Sequence, residues 1–278
     1  MLLSQNKEDI NELMGNEILN YGKHIPFIGV PTTSGTGSEV TLVAVIEDKI
    51  KNLKMEFISY FLLPDVAVLD PEMTMTLPKK ATASTGIDAL CHAIEAYTCI
   101  QKNPLSDAYA ISAIKIIMDN IEIAVKNGEN KKARLSMANA SLMAGISFSN
   151  SMVGLVHAIG HSIGAVSKVP HGDAISILLP YVMEYNADAT EDRYRDIAKA
   201  MGVENTEGMT TEEARKAAIN AVRKLAIDVG IPQKLSDIGA SKDDLQALSE
   251  LAMSDACTPG NPKDPTVEEI KAIYEKAF

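Results

Sequence analysis

The sequence predicts a mainly α-helical protein in which an all-helical region follows a shorter α/β region. Two observations predict this division. Short, β-branched apolar runs fall within the first 75 residues, whereas long segments rich in Ala, Ile, Leu and Met follow from about Leu77. Segments of that length and spacing are typical of helices. A chain of 278 residues has room for about two domains of ~150 residues, so we place one region at residues 1–75 and a helical one at 76–278.

Three apolar runs predict strands in the first region, at residues 27–30, 41–46 and 66–69. Each run is bounded by Pro, Gly or Asp and is largely β-branched, which suits strands that are buried on both faces. Three strands are too few for a complete doubly wound sheet. The first region therefore resembles part of a domain.

In the second region, the sequence predicts helices over residues 81–99, 106–126, 130–150 and 173–186, because these segments contain few helix-breaking residues. Three later helices have capping boxes at their starts, in which a hydroxyl residue precedes an acidic residue by three positions. These are Thr210 with Glu213, Ser241 with Asp244, and Thr266 with Glu269. The region is expected to be all-α.

Composition excludes several classes of protein. The chain carries 26 basic and 37 acidic side chains, for a net charge of −11, and such a surface repels nucleic acid phosphates. Its three cysteines form no CxxC pair, so neither a disulfide framework nor a cysteine zinc site is expected. Residues 4–9 are too polar for a secretory signal, and no apolar stretch is long enough to span a bilayer. We expect a cytoplasmic protein that binds neither nucleic acid nor membranes.

A carboxylate and an imidazole are paired inside the first predicted helix. Asp88 precedes His92 by four residues, and residues at that spacing lie about 40° apart around a helix. Their neighbours are apolar, so this face is expected to be buried. A buried Asp–His pair costs several kcal/mol unless a partner compensates it. The pair is either a hydrogen-bonded feature of the core or part of a binding site.

Three further histidines favour the binding site. His157 and His161 repeat the four-residue spacing, and His171 follows ten residues later at the expected start of another helix. One carboxylate with nearby imidazoles provides the N and O ligands that Fe(II) or Zn(II) accepts. Spacing leaves open which three histidines bind the metal, because His157 and His161 share a helix face while Pro170 can return His171 to the site.

The segment 30–40, VPTTSGTGSEV, follows the first predicted strand and is expected to open a helix. Small hydroxyl and glycine residues allow backbone N–H groups to approach a phosphate. The segment is neither a P-loop nor a GxGxxG fingerprint. A plain turn followed by a Ser or Thr N-cap explains it equally well.

Several long motifs together resemble the iron-containing alcohol dehydrogenase family. They are PTTSGTGSEVT, LLPDVAVLDPE, STGIDALCHAIEAY, GLVHAIGHSIGA, VPHGDAISILLPYVMEYN and CTPGNP. The resemblance implies the dehydroquinate synthase-like fold of that family, with an α/β dinucleotide-binding domain before a helical metal-binding domain. It also implies an oxidoreductase that uses a nicotinamide cofactor (NAD or NADP) and Fe(II), with Zn(II) as the other candidate, on a small alcohol or aldehyde.

The resemblance also implies roles for individual residues. The metal ligands are Asp88, His92, His157 and His171, and His161 becomes the histidine beside the nicotinamide that takes part in proton transfer. The implied cofactor-binding residues are Thr32, Thr33, Thr36, Val45 and Lys54. Phe148, Leu155 and Cys257 are expected at the substrate pocket, although ordinary core packing explains a buried Phe or Cys equally well.

One feature departs from the family. Its first dinucleotide-binding half carries a GGGS turn for the pyrophosphate, and this sequence contains no GGGS. Besides a metal-dependent dehydrogenase, two alternatives stay open at this point. One is a metal-binding helical module that lacks cofactor binding and depends on a partner. The other is a related metal-dependent reaction on polyols, cyclic hydroxy acids or a hydrolysable substrate. Exposed apolar edges in residues 27–69 would favour a homodimer or a larger assembly.

Overall fold

The structure is a computed structural model that describes residues 5, 7–16, 19, 25–48 and 53–278. In the described part, nine α-helices follow residue 78 and short strands precede it. The helices are α1 (Lys79–Thr98), α2 (Pro104–Lys126), α3 (Lys131–Ser149), α4 (Leu155–Ser167), α5 (His171–Asn186), α6 (Arg193–Ala200), α7 (Thr211–Asp228), α8 (Leu245–Met253) and α9 (Val267–Ala277). The four helices predicted from composition appear as α1, α2, α3 and α5.

Two of the three predicted capping boxes form, and the one at Ser241 and Asp244 does not. The Thr210 side chain accepts from the N–H of Glu213 at the start of α7, and Thr266 does the same for Glu269 at α9. Ser241 instead caps a 3-10 turn, which leads directly into α8. Capping satisfies N–H groups that a helix start leaves without partners.

The first region forms two small sheets. In one, β1 (Gly15–Asn16) pairs in parallel with β4 (Leu53–Ile58), which also pairs antiparallel with β3 (Val43–Asp48). In the other, β2 (Ile28–Gly29) pairs in parallel with β5 (Val66–Ala67). Strand β4 was not predicted, although its sequence LKMEFI alternates apolar and charged residues in the way of a half-buried strand. Met55 and Phe57 on its apolar face are buried.

Two expectations for the first region differ from the structure. The apolar side chains of β2, β5 and their flanks are exposed rather than buried on both faces, with Phe27 at 54% and Ile28 at 57%. No layer in the described part of the chain covers them. The segment 30–40 opens no α-helix: it ends in the 3-10 turn Ser38–Val40, and the next element is β3.

The helical region encloses the main hydrophobic core. Helices α1, α2 and α3 pack side by side, and α5 and α4 lie next to them through fully buried residues such as Leu90, Ile114 and Leu178. Nearly all of α1 from Gly86 to Thr98 is buried, so polar side chains on this helix need partners inside the protein. No helix in the described part of the chain has both the length and the apolar composition that a membrane span requires.

Glycines allow the segment 30–40 to pack closely against the helices. A Cβ atom on Gly37 would lie 2.8 Å from both the Gly145 Cα and the Ser141 carbonyl oxygen in α3, and a Cβ on Gly35 would lie 2.9 Å from Thr85 in α1. These glycines permit close packing between the two regions. Their presence therefore does not depend on phosphate binding.

Gly37→Ala is expected to destabilise the protein more than Gly202→Ala does. Both glycines have positive φ angles, of 61° and 84°, where a Cβ costs roughly 1–2 kcal/mol. A Cβ atom added at Gly202 would have no other heavy atom within 4 Å, so Gly202→Ala measures only the conformational cost of the positive φ angle. Gly37→Ala adds overpacking against α3, for about 1–3 kcal/mol more. Urea unfolding of both variants measures the difference, and equal losses would contradict the close contact.

Candidate active site

Helix α1 carries the first two side chains of the site. Asp88 and His92 lie one turn apart and are 3% and 6% exposed. The His92 Nδ1 atom lies 3.9 Å from Asp88 Oδ1, which is too long for a hydrogen bond. The His92 ring stacks on Phe148 of α3, with ring centroids 4.6 Å apart. Asp88 and His92 are therefore both buried, but they do not form a hydrogen bond with each other.

Two histidines from other helices converge on the same carboxylate oxygen. His157 Nε2, from α4, lies 3.7 Å from Asp88 Oδ1, and His171 Nε2, from the first residue of α5, lies 3.9 Å from it. Asp88, His157 and His171 each offer one ligand atom, and these atoms lie within 4.8 Å of one another. Three helices thus bring a carboxylate and three imidazoles to one point.

The site leaves several buried polar atoms without hydrogen bonds in the described structure. They are Asp88 Oδ1, His92 Nδ1 and His157 Nε2. An unpaired buried polar atom costs about 1–3 kcal/mol, so a centre with three of them is unfavourable as a core feature. Their N and O chemistry and their spacing fit one divalent first-row metal ion.

The electrostatics suit a cation as well. Burial alone would raise the pKa of Asp88, but the surrounding histidines, His92 foremost, hold it well below its usual range. Burial lowers the pKa of His92 to about 4, against the opposing charge of Asp88. At neutral pH the site therefore offers an anionic carboxylate and a neutral imidazole, the forms in which these groups bind metals.

Glu95 supports His157 from behind. This carboxylate is 6% exposed, and its Oε2 atom forms a short hydrogen bond with His157 Nδ1. Its Oε1 atom accepts from the Val156 N–H at 2.7 Å. Burial disfavours a charged His157, yet the charge of Glu95 raises the pKa of His157 well above its usual value. A carboxylate on the far nitrogen of a ligand histidine fixes the ring and its tautomer.

Sequence reasoning missed Glu95, although a signal was available. Glu95 follows Asp88 by seven residues and His92 by three, so all three share one face of α1. The nearby Cys91 Sγ lies 4.0 Å from His157 Nδ1, and burial raises the pKa of this thiol to about 12. Cys91 is therefore a neutral neighbour of the site.

His161 lies one turn after His157 but has a different partner. Its Nδ1 atom lies 3.0 Å from Asp255 Oδ2, beyond the end of α8. The ring stacks on His171, with centroids 5.4 Å apart. No local pattern in the sequence singles out Asp255, which is 94 residues from His161. His24, the fifth histidine, lies outside the described residues.

A cleft of about 1050 Å³ opens above the histidines, between the helical region and the first region. Its described lining includes the four clustered histidines and four of the residues expected at the cofactor or substrate. These four are Thr36, Val45, Phe148 and Cys257. The cleft therefore joins residues from both regions.

The other expected residues lie elsewhere. Thr32 and Thr33 precede the part of the segment that lines the cleft. Leu155, expected at the substrate pocket, is instead fully buried at the first turn of α4 and packs in the core. The backbone of Lys54 belongs to β4, but its side chain lies outside the described part of the structure.

Known proteins resemble this chain over most of its length. The chain is 44% identical to the lactaldehyde reductase of Escherichia coli strain K12, over all of this chain and 72% of that protein. It is 43% identical to the 1,3-propanediol dehydrogenase of Citrobacter freundii, over 91% of this chain and 65% of that protein. The chain thus spans about two thirds to three quarters of the length of these relatives.

Structural similarity is equally extensive. An alcohol dehydrogenase from Oenococcus oeni superposes with a TM-score of 0.96 at 40% identity, covering 100% of this chain and 72% of the other. The family model described as Fe-containing alcohol dehydrogenase family, C-terminal, matches residues 82–278, and that of iron-containing alcohol dehydrogenase matches residues 1–71. Motifs, fold and matched range thus agree, and the chain belongs to the iron-containing alcohol dehydrogenase family.

Proposed function

We propose that the protein is a metal-dependent alcohol dehydrogenase or aldehyde reductase that transfers a hydride between a small alcohol and NAD or NADP. The observation that carries this proposal is the convergence of His92, His157 and His171 on Asp88 at the base of the cleft. Three unpaired buried atoms there call for a cation. The relatives are named for oxidoreductase activity on small alcohols and aldehydes.

Asp88, His92, His157 and His171 would hold Fe(II), with Zn(II) as the alternative. A metal at this position supplies Lewis acidity to a substrate oxygen. Three residues of the chain would support this chemistry. Glu95 would fix the ring of His157, Phe148 packs against His92, and His161, which lines the cleft, would take part in proton exchange.

The substrate and cofactor would share the cleft. Thr36 and Val45 of the first region line it, as do Phe148 and Cys257 of the helical region. Because the second pair is apolar and close to His92 and His161, the substrate class is a small, mostly apolar alcohol or aldehyde. The nicotinamide would lie toward the first region and supply the hydride chemistry.

Calorimetric titration of the Fe(II)- or Zn(II)-loaded protein with NADH and NADPH tests the proposal. We expect saturable binding in the micromolar range, corresponding to about −8 kcal/mol, and reduction of small aliphatic aldehydes. His161→Ala should retain the metal but lower turnover. Metal binding without cofactor binding at millimolar concentrations would contradict the proposal and support the partner-dependent metal-binding module.

The same preparation tests a proposed homodimer or larger assembly. Exposed apolar side chains on β2 and β5, including Phe27, Ile28 and Val66, form a surface that favours association. Light scattering should therefore give a mass above that of one chain, and a monodisperse monomer would contradict this proposal. The cytoplasmic location expected from the sequence stays a prediction.

A further inference from the structure

The two histidines of α4 have different carboxylate partners. His157 Nδ1 bonds to Glu95 from α1, whereas His161 Nδ1 lies 3.0 Å from Asp255 Oδ2. The His161 and Asp255 side chains are 14% and 12% exposed, so this second pair is only partly buried, and His161 lines the cleft. A separate carboxylate thus sets the environment of each ring.

Asp255 is itself held in place. Its Oδ1 atom accepts from the Cys257 N–H at 2.9 Å, and its backbone N–H donates to the Ala252 carbonyl at 3.2 Å. Burial would raise the pKa of Asp255, but its hydrogen bonds with His161 and with the Cys257 N–H hold it below the usual range. An ionised carboxylate only accepts hydrogen bonds, so the hydrogen between the two groups belongs to His161 Nδ1.

We propose that Asp255 is a positioning residue that holds His161 in the Nδ1–H tautomer and thereby directs its Nε2 atom to the cleft. In alcohol oxidation, Nε2 would accept the proton of the substrate hydroxyl, and in aldehyde reduction it would return a proton to the substrate oxygen. The nicotinamide, when bound, would supply the hydride acceptor or donor. Asp255 stabilises the imidazolium formed in the first direction, as an acidic partner does for a general base. This inference rests on the proposed function.

Hydrogen bonding accounts for this cluster better than a second metal does. His161, Asp255 and Cys257 also offer ligand atoms within 4.8 Å of one another. Here, however, both Asp255 oxygens have hydrogen-bond donors, whereas the Asp88 cluster leaves three atoms unpaired. One proposed metal at the Asp88 cluster and a hydrogen-bonded His161–Asp255 pair therefore account for both groups of residues.

The tautomer can be measured without any assay of activity. Long-range proton–nitrogen NMR of the Zn(II)-loaded protein, labelled with ¹⁵N at its five histidines, distinguishes Nδ1–H from Nε2–H rings. His161→Gln identifies the His161 signals by their loss. We expect the Nδ1–H tautomer in the wild-type protein and a shift toward Nε2–H in Asp255→Asn. An asparagine has one acceptor oxygen and one donor NH₂, so it cannot accept hydrogen bonds from both His161 and the Cys257 N–H. An Nε2–H ring in the wild-type protein overturns the proposal.

Kinetics supply the second readout. Asp255→Asn should lower kcat by about 10²-fold or more, the range of a general acid–base contribution, with KM and metal content unchanged. Asp243→Asn, an exposed aspartate before α8, is the matched control and should change none of these. An unchanged kcat, or a second metal equivalent that Asp255→Asn removes, overturns the proposal. An inactive wild-type enzyme with an Nδ1–H ring contradicts the proposed function instead and leaves the positioning of His161 intact.

Discussion

Asp88→Asn is expected to lower the affinity for Fe(II) or Zn(II) by more than about 100-fold. Loss of a residue that only hydrogen-bonds to a metal ligand lowers metal affinity by up to about 100-fold, and loss of a ligand itself should cost more. Three imidazoles lie within 3.7 to 3.9 Å of the same Asp88 oxygen. The substitution removes the anionic ligand of the site and keeps the side-chain volume. Turnover should fall with the metal content. Metal counting after chelator competition measures the loss.

The control for this variant lies on the neighbouring helix. Asp119 is an exposed aspartate of α2, and Asp119→Asn should keep the affinity of the wild-type protein. If Asp88→Asn bound the metal as tightly as this control, the Asp88 carboxylate would not be a ligand, and the proposed ligand set would be wrong. Circular dichroism of both variants checks that the helices remain folded.

Glu95→Gln is expected to weaken metal binding by about 10- to 100-fold without removing a ligand. The Glu95 oxygens accept from Val156 N–H and bond to His157 Nδ1. A glutamine has one acceptor and one donor group, so one of these two N–H groups must face the amide NH₂. The lost contact in the buried site should also lower the free energy of unfolding by about 1–3 kcal/mol.

Competition with a chelator and urea unfolding of the metal-free protein measure the two effects of Glu95→Gln separately. Glu129→Gln, at an exposed position between α2 and α3, is the matched control and should leave both unchanged. A Glu95→Gln protein with wild-type affinity would show that the ring of His157 is held by its helix alone. A loss of stability without a loss of affinity would restrict Glu95 to a role in folding.

Much of the helical region could be predicted from the sequence because the relevant signals are local. Capping boxes such as Thr210 with Glu213 bond residues three positions apart, and the pairing of Asp88 with His92 needs only one helical turn. The strands were harder to predict. Strand β4 is not among the predicted strands. Strand β2 is predicted to be buried, yet its Ile28 side chain is 57% exposed. Burial of a strand depends on the layers packed around it, which a local sequence pattern does not show.

One carboxylate and a cluster of imidazoles on helices, the proposed ligand set, could be predicted from the sequence alone. The partner of each histidine ring, in contrast, is set by the tertiary structure. His157 and His161 share one helix face, and their spacing predicts equal access to a metal. They differ because packing places Glu95, 62 residues from His157, beside the first ring and Asp255, 94 residues from His161, beside the second. Helical periodicity reaches only a few residues along the chain, so contacts over such separations follow from the packing of whole helices.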